Sequence, residues 1–592
     1  MLPDAGEWDE SELRKRLAEV RRELPRLRGL DDLRRAGWYH DYFCDKEGAQ
    51  LKFDLAKPYE HVCPACGTAY ADERRDRAWV TQLRGRRTGL LSTACALAKA
   101  GHDVTDLVLA ELAWLAENYR LFPVGGFRHS RINTSRLMGT SLDESVCMCN
   151  VTLCVAALRD LLPPDLMRRL IAGFLVPAYD LQYSRIGEVE AESAGFPARS
   201  EGGRPAHNIL VWHGCALAGT ALVMRDEERL AYALDAPYGL KFQLAHGPQQ
   251  DGLWHEGSLG YHCYALRALT LLMGTARELG RELSQIEGPY LRMAGALEGL
   301  YFSNGCAPAY SDAWAPARIS GVRRLYASIH RLFEDETVAR ILAAAQGGPF
   351  ELKQGLWDQP GLRVARARTG RWELAVKYGH LARSHRHPDV GSVIVLADGE
   401  ELIGDLGTTG YGCDVHRWRR SPMCHNTVVP DNAFDMGEVL GPGLAPGRCE
   451  LKEDCITIEG TIAGNCTLKR VLRLTEDRIE DTVRVKSERD RAWTWWLHLN
   501  APFEDAAGAP APERFAGIRF IEDVVDQAGR SEFRSGPLTI RMLNREPDDR
   551  VFAVASPGNA AVPRRYGLAW DRHGRVAEFR SEWGLGEMMN DE

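Results

Sequence analysis

A change of periodicity near residue 350 constrains this chain more than any other feature. From 86 to about 345, apolar residues recur at helical spacing, as in 88–119, 142–162, 207–224 and 264–280, with Gly- and Pro-rich breaks at 123–126 and 195–205. That spacing gives each helix an apolar stripe, which is buried by packing helix on helix. Beyond 350 the pattern becomes two-residue alternation rich in Val, Ile, Thr and Trp, over 362–377, 391–406, 426–430, 449–475 and 478–500. Alternation puts successive side chains on opposite faces of a strand, and turn signals such as Asp398-Gly399 point to antiparallel hairpins. Helices first and strands afterwards exclude a βαβ fold and call for separate layers or domains.

The flanks complete an α+β multidomain organisation. Residues 8–35 place Leu13, Leu17, Leu24, Leu27 and Leu30 among alternating charges, the pattern of an amphipathic helix, and 36–80 is rich in Tyr, Cys and Gly. The expected division is an N-terminal helix and Cys-rich knuckle (1–85), a helical domain (86–350), an antiparallel β domain (351–500) and a C-terminal β extension (501–592).

Lys and Arg number 74 against 82 Asp and Glu, a net charge of −8. Such a chain has no global attraction for nucleic acid or an anionic membrane, so an anionic ligand must meet a local basic cleft. The start, Met1-Leu2-Pro3-Asp4-Ala5-Gly6-Glu7-Trp8, lacks the basic-then-apolar order of a signal peptide, and no apolar run approaches a bilayer span. The 15 cysteines are odd in number and scattered, which reads as reduced thiols or metal ligands. The expected compartment is the cytoplasm.

Three constellations carry chemistry. In His61-Val62-Cys63-Pro64-Ala65-Cys66-Gly67, two thiols two residues apart on a Pro/Gly turn suit tetrahedral zinc, with Cys44 as a third ligand. The fourth is open among His61, His40 and Glu47, and the reading is a structural zinc knuckle. The second joins His207-Asn208, at the start of an apolar helix, to the Gly-broken run Asp251 to Tyr264, which holds His255, Glu256, Tyr261 and His262. Packing explains an aromatic or two there, not so many titratable groups. The third begins the β region: His385 and His387 share a strand face, followed by Asp405, Tyr411, Arg417, Arg419, Arg420 and His425. Two His, a carboxylate and a further His are a ligand set for zinc or a similar divalent ion.

In this order, the motifs Asp-Gly-x-x-x-Glu-Gly-x-x-x-Tyr, His-x-His-x-Asp, Gly-Asp-x-Gly and Cys-His-Asn-Thr resemble the heparinase II/III-like polysaccharide lyases, whose relatives include oligoalginate lyases. The resemblance covers roughly residues 35–500. It implies an incomplete (α/α) toroid followed by an antiparallel β-sandwich. It also implies Tyr261 and His207 as the active-site pair, with Asn208 and His385 meeting the substrate carboxylate. His387, Asp405 and His425 become metal ligands of the β domain, zinc favoured, and no organic cofactor is called for. Tyr264 is an alternative to Tyr261.

The activity implied is β-elimination beside a uronic acid, giving 4,5-unsaturated ends, on glycosaminoglycan-type chains first and alginate next. The enzyme must neutralise the uronate, remove the C5 proton and protonate the leaving oxygen. Tyr261 is the expected acid, and His207 or Tyr261 the base. As base, Tyr261 would need its pKa lowered by His207 and arginines. Arg128, in a Gly-rich loop with His129, Arg131 and Asn133, joins Tyr264, Glu256, Tyr411 and Arg417 as expected substrate contacts. Two rivals stand beside this reading. One is a hydrolase on the same scaffold, using two of Asp143, Glu144, Glu256 and Asp312; the other is a non-catalytic glycan-binding protein. The sequence permits a homodimer.

Overall fold

The computed structural model describes residues 2–126, 134–183, 206–382, 385–434, 447–464, 466–504, 509–510, 515, 518, 520–559 and 561–586. The helices Glu73–Lys99, Ser141–Ala157, Asn208–Met224 and Leu259–Glu278 pack on one another and form the centre of the helical half. Asn208–Met224 is buried on nearly every face, as expected for a helix enclosed by neighbours rather than laid on a surface. The helix Glu10–Leu30 lies outside this group and buries Val20, Leu24 and Leu27 against Glu73–Lys99. The helix Glu73–Lys99 runs through residue 85, where the expected first boundary fell.

A buried ion cluster ties the outer helix down. Asp31, which caps the end of Glu10–Leu30, accepts two hydrogen bonds from Arg84 at 2.8 and 2.9 Å and one from Arg87 at 2.8 Å. Arg87 also reaches the buried carboxylate of Glu111. Charges removed from water are tolerable only when each is paired, so deleting one partner costs more than the pair itself contributes.

The strands from Gly355 to Leu585 form one continuous antiparallel ladder. Its spine is a pair of 22-residue strands, Arg478–Leu499 and Arg564–Leu585, hydrogen-bonded along most of their length from Arg478↔Gly584 to Leu499↔Tyr566. The strands beyond 501 therefore complete the sheet begun before 500, with no separation at that point. The strand Val393–Ala397 is buried on both faces, which explains its unbroken apolar sequence. Val393 and Val395 belong to the core of the β half, while Ile394 and Leu396 belong to the core of the helical half.

The two halves also touch through loops. Gly407 has φ of +57°, and a Cβ there would lie 2.0 Å from the Ala313 carbonyl oxygen. Only glycine permits that approach, and beside it Thr408 N donates to Ala313 O at 2.8 Å. Among the described residues no helix is long and apolar enough to cross a membrane.

Asp31→Ala should destabilise the protein by about 3–5 kcal/mol, because it leaves Arg84 and Arg87 buried without their carboxylate. Chemical denaturation checks this, with the exposed Glu10→Ala as a control expected to change stability by less than about 0.5 kcal/mol.

Candidate active site

Four segments converge where the halves meet. The start of helix Asn208–Met224 supplies His207 and Asn208. The turn before helix Leu259–Glu278 and its first residues supply Glu256 and Tyr261. The loop after strand Cys306–Ala307 supplies Asp312, and β-half loops supply His385, His387 and Tyr411.

Asp312 is the junction. It is buried, and its carboxylate accepts from His385 Nδ1 at 2.9 Å, His387 Nε2 at 2.9 Å and the Tyr411 hydroxyl at 2.8 Å. Burial alone would push its carboxyl up; the bonds from His385 and His387 outweigh that and hold it well below the usual carboxylate range. The Asp312 amide also donates to the His385 carbonyl at 3.1 Å. His385 sits at φ of +61°, an uncommon conformation for a residue with a side chain and one that clusters at functional sites.

Glu256 is a second centre. Its oxygens accept from Asn208 Nδ2 at 2.8 and 3.1 Å and from Trp254 Nε1 at 2.7 Å, and His207 Nε2 lies 3.3 Å away. Burial raises its carboxyl, but the attraction of His207, His385 and His255 in their protonated forms and the Asn208 bond prevail and bring it to about 2. Expected as a substrate contact, Glu256 is instead enclosed, with both oxygens occupied by protein donors. It positions the groups around it.

The two histidines are in different states of readiness. His207 caps its helix: its Nδ1 accepts from the Ile209 amide at 3.2 Å and therefore carries a lone pair. The ring proton must then sit on Nε2, facing Glu256, which leaves no free lone pair for a base. His385 has the reverse arrangement. Its Nδ1–H donates to Asp312, while its Nε2 is 3.7 Å from Glu256, beyond hydrogen-bond reach, and keeps its lone pair.

The Tyr261 ring stacks on His385 with centroids 3.5 Å apart, and its hydroxyl is 2.5 Å from that of Tyr411. Burial, followed by the negative charge of Asp312, raises the Tyr261 hydroxyl well above its ordinary pKa. The lowering by His207 and arginines expected of Tyr261 as base is thus reversed, and its protonated form is favoured. Tyr264, one turn along the helix, packs on Trp212 at 4.9 Å and is absent from the Tyr261–His385–Tyr411 contacts.

Other expectations change place. Arg417 is exposed on the short helix Asp414–Arg419, while the neighbouring Arg419 is buried with its guanidinium on the carbonyls of Thr408 and Gly558. Arg128, His129, Arg131 and Asn133 lie outside the described residues. His40, weighed only as a zinc ligand, instead stacks on Tyr411 at 4.1 Å and 5°, and its Nδ1 accepts from the Tyr411 amide at 3.3 Å. His61 is no ligand either, because its ring nitrogens face the Tyr42 hydroxyl at 3.1 Å and Asp76 at 2.9 Å. The dense aromatic run Trp38 to Phe43 was the one sequence signal for His40.

The metal set of the β half does not assemble. Asp405 and His425 pair at 2.8 Å, but His387 turns to Asp312. Among the described residues, buried His387 Nδ1 and His425 Nε2 have no hydrogen-bond partner, and the three side chains do not bring ligand atoms within 4.8 Å of one another. Among the described residues two groups do, with atoms within 4.8 Å of one another: Cys44, Cys63 and Cys66, and His207, Glu256 and His385. Either could hold a metal ion.

This fold and site define a class: a helical toroid joined to an antiparallel β domain, with a Tyr–His centre at the junction. Residues 355–574 match the heparinase II/III-like C-terminal family and residues 182–297 the alginate lyase family. The β half thus carries a heparinase II/III-like C-terminal domain, and part of the helical half matches an alginate lyase domain. No curated protein matches the chain's sequence. Among solved structures, heparinase III is similar with a TM-score of 0.60 at 15% identity, over 86% of this chain and 77% of that one. The heparan sulfate lyase HepC mutant from Pedobacter heparinus gives 0.55 at 13% identity, over 98% and 91%. A mutant chondroitin AC lyase of Streptomyces coelicolor A3 gives 0.50 at 11% identity, over 98% and 81%. At these identities the likeness is one of fold.

Because Glu256 is depressed from 4.5 to about 2, it contributes stability that is present above 4.5 and lost as pH falls toward 2. Glu256→Gln should therefore flatten the fall in denaturation midpoint between those values, a change read by urea titrations at stepped pH.

Proposed function

We propose that this chain is a carbon–oxygen lyase that cleaves uronate-containing polysaccharides by β-elimination, glycosaminoglycan-type chains first and alginate next. The observation that carries the reading is the Asp312–His385 pair set against the Tyr261 ring. It offers a free base nitrogen and a protonated hydroxyl side by side.

The C5 proton of a uronate is weakly acidic because its removal adds charge beside a carboxylate. His207, its tautomer fixed by its helix and its Nε2–H turned to Glu256, borders that charge together with Asn208, which Glu256 holds beside it. His385 Nε2 takes the C5 proton. The imidazolium so formed lies between Asp312 and Glu256, two ionised carboxylates that stabilise it. Electrons from the C–H bond form the C4–C5 double bond as the C4–O bond breaks, and Tyr261 gives its proton to the leaving oxygen. Tyr411 turns its one O–H from Asp312 to the resulting phenolate until the proton held by His385 returns to it. The reaction consumes no water, and none of its steps passes through a metal. The base is thus His385, in place of His207 or Tyr261.

The same charges weigh against the hydrolase. A glycosidase acid must be protonated at working pH, whereas Glu256 and Asp312 are both held ionised. Glu144 is occupied by the Tyr119 hydroxyl at 2.7 Å and the Met138 amide at 2.8 Å. Asp143, lifted to about 6, lines a separate cleft of about 490 Å³ with Tyr39, Gln82, Asn150 and Arg267. Arg267, on this second cleft, supplies a cation that an acidic chain running on from the site would meet. Similarity to heparinase III and heparan sulfate lyase supports the substrate class.

Purified protein incubated with a panel of uronate polysaccharides should generate the ultraviolet absorbance of an unsaturated uronate; turnover without that absorbance would reject the elimination. Tyr261→Phe and His385→Ala should each lower kcat by about 10²-fold or more with the fold retained by circular dichroism. Arg267→Ala should raise KM and leave kcat nearly unchanged, the signature of lost ground-state binding.

A further inference from the structure

The Cys-rich element contains two turns of one design. In the first, Gly48 N donates to Cys44 O at 2.9 Å and Gly48 has φ of +63°. In the second, Gly67 N donates to Cys63 O at 3.0 Å and Gly67 has φ of +71°. Aligned on these turns, Cys44-Asp45-Lys46-Glu47-Gly48 corresponds to Cys63-Pro64-Ala65-Cys66-Gly67, so Glu47 stands where the second turn has Cys66. The turns face each other: the Cys44 and Cys66 sulfurs are 3.7 Å apart, and the three thiols gather within metal-binding range.

We infer that this pair of turns is a zinc site made by Cys44, Cys63 and Cys66, with Glu47 as the fourth ligand at the position equivalent to Cys66. Three sulfurs and a carboxylate oxygen are a tetrahedral donor set for zinc. Binding releases one proton from each thiol, three in all, and gives a centre of net charge −2. Beside the site Arg75 pairs with Asp45 at 2.7 Å and Asp72 at 2.8 Å and lies 4.2 Å from the Tyr70 ring centroid, while the Tyr70 hydroxyl lies 3.2 Å from Cys44 Sγ. Glu47 is exposed, and the assignment requires its side chain to turn inward to the ion.

The site also clamps the loop that carries Tyr411. The Asp45 carbonyl accepts from Val415 N at 3.2 Å, the Gly48 carbonyl accepts from the Thr409 hydroxyl at 2.5 Å, and four residues before Cys44 the His40 carbonyl accepts from Gly412 N at 3.1 Å. Zinc therefore fixes the strap that holds His40 against Tyr411. This last consequence rests on the lyase reading; the metal site does not.

Metal analysis of protein purified from zinc-supplemented medium should give at least one equivalent of zinc, and one equivalent less in Cys63→Ser/Cys66→Ser. Cobalt exchanged into the site should show sulfur-to-metal charge-transfer absorption, which the His207–Glu256–His385 group cannot produce. Glu47→Ala should weaken zinc affinity at least tenfold in competition with a chelator, and Glu47→Cys should restore or exceed it. Zinc-free wild-type protein that takes up none on titration, a Cys63–Cys66 disulfide in the native protein, or unchanged affinity in Glu47→Ala would each overturn the assignment. Loss of zinc with full retention of lyase activity would remove only the coupling to Tyr411.

Discussion

The buried carboxylate of Asp312 is the interaction on which the site depends. It belongs to the helical half, and its three partners, His385, His387 and Tyr411, all belong to the β half. An ionised carboxylate out of water is tolerable only when its lone pairs are taken up by donors. The two halves must therefore meet in one register, and that register sets the lone pair of His385 and the hydroxyl of Tyr261. Gly407, pressed on the Ala313 carbonyl next to Asp312, enforces the same register sterically.

Much of this architecture is legible in the sequence because periodicity is a local property. The helices at 142–162 and 207–224 and the strands at 391–406 and 478–500 follow from the spacing of their apolar residues. The unity of the sheet was not legible: the pairing of Arg478–Leu499 with Arg564–Leu585 joins residues 67 to 106 positions apart, and only long-range contacts reveal it.

At the site, motif spacing brought forward Tyr261, His207, Asn208, His385 and Tyr411, and the structure gathers them. Their division of labour was hidden, because it depends on which ring nitrogen each histidine has free. His207 gives up its Nδ1 to the Ile209 amide, an outcome of helix capping, whereas His385 turns its Nδ1 to a carboxylate seventy-three residues earlier. Asp312 itself lies in an unremarkable loop, and His40 entered only through its possible affinity for zinc. His387 carried the expected metal-ligand spacing, yet a nearer carboxylate claims it.

The shared strand Val393–Ala397 has a kinetic meaning. Its alternate residues complete two cores at once, and the sheet it belongs to closes only when Arg564–Leu585 docks along Arg478–Leu499. Contacts of such sequence separation form late, since loop-closure entropy is lost before pairing compensates for it. During synthesis the helical half emerges first, with one wall of its core still missing. A chain stalled before that strand would already carry every side chain of the proposed centre, while the sheet behind its β-half loops lacked one strand of its spine.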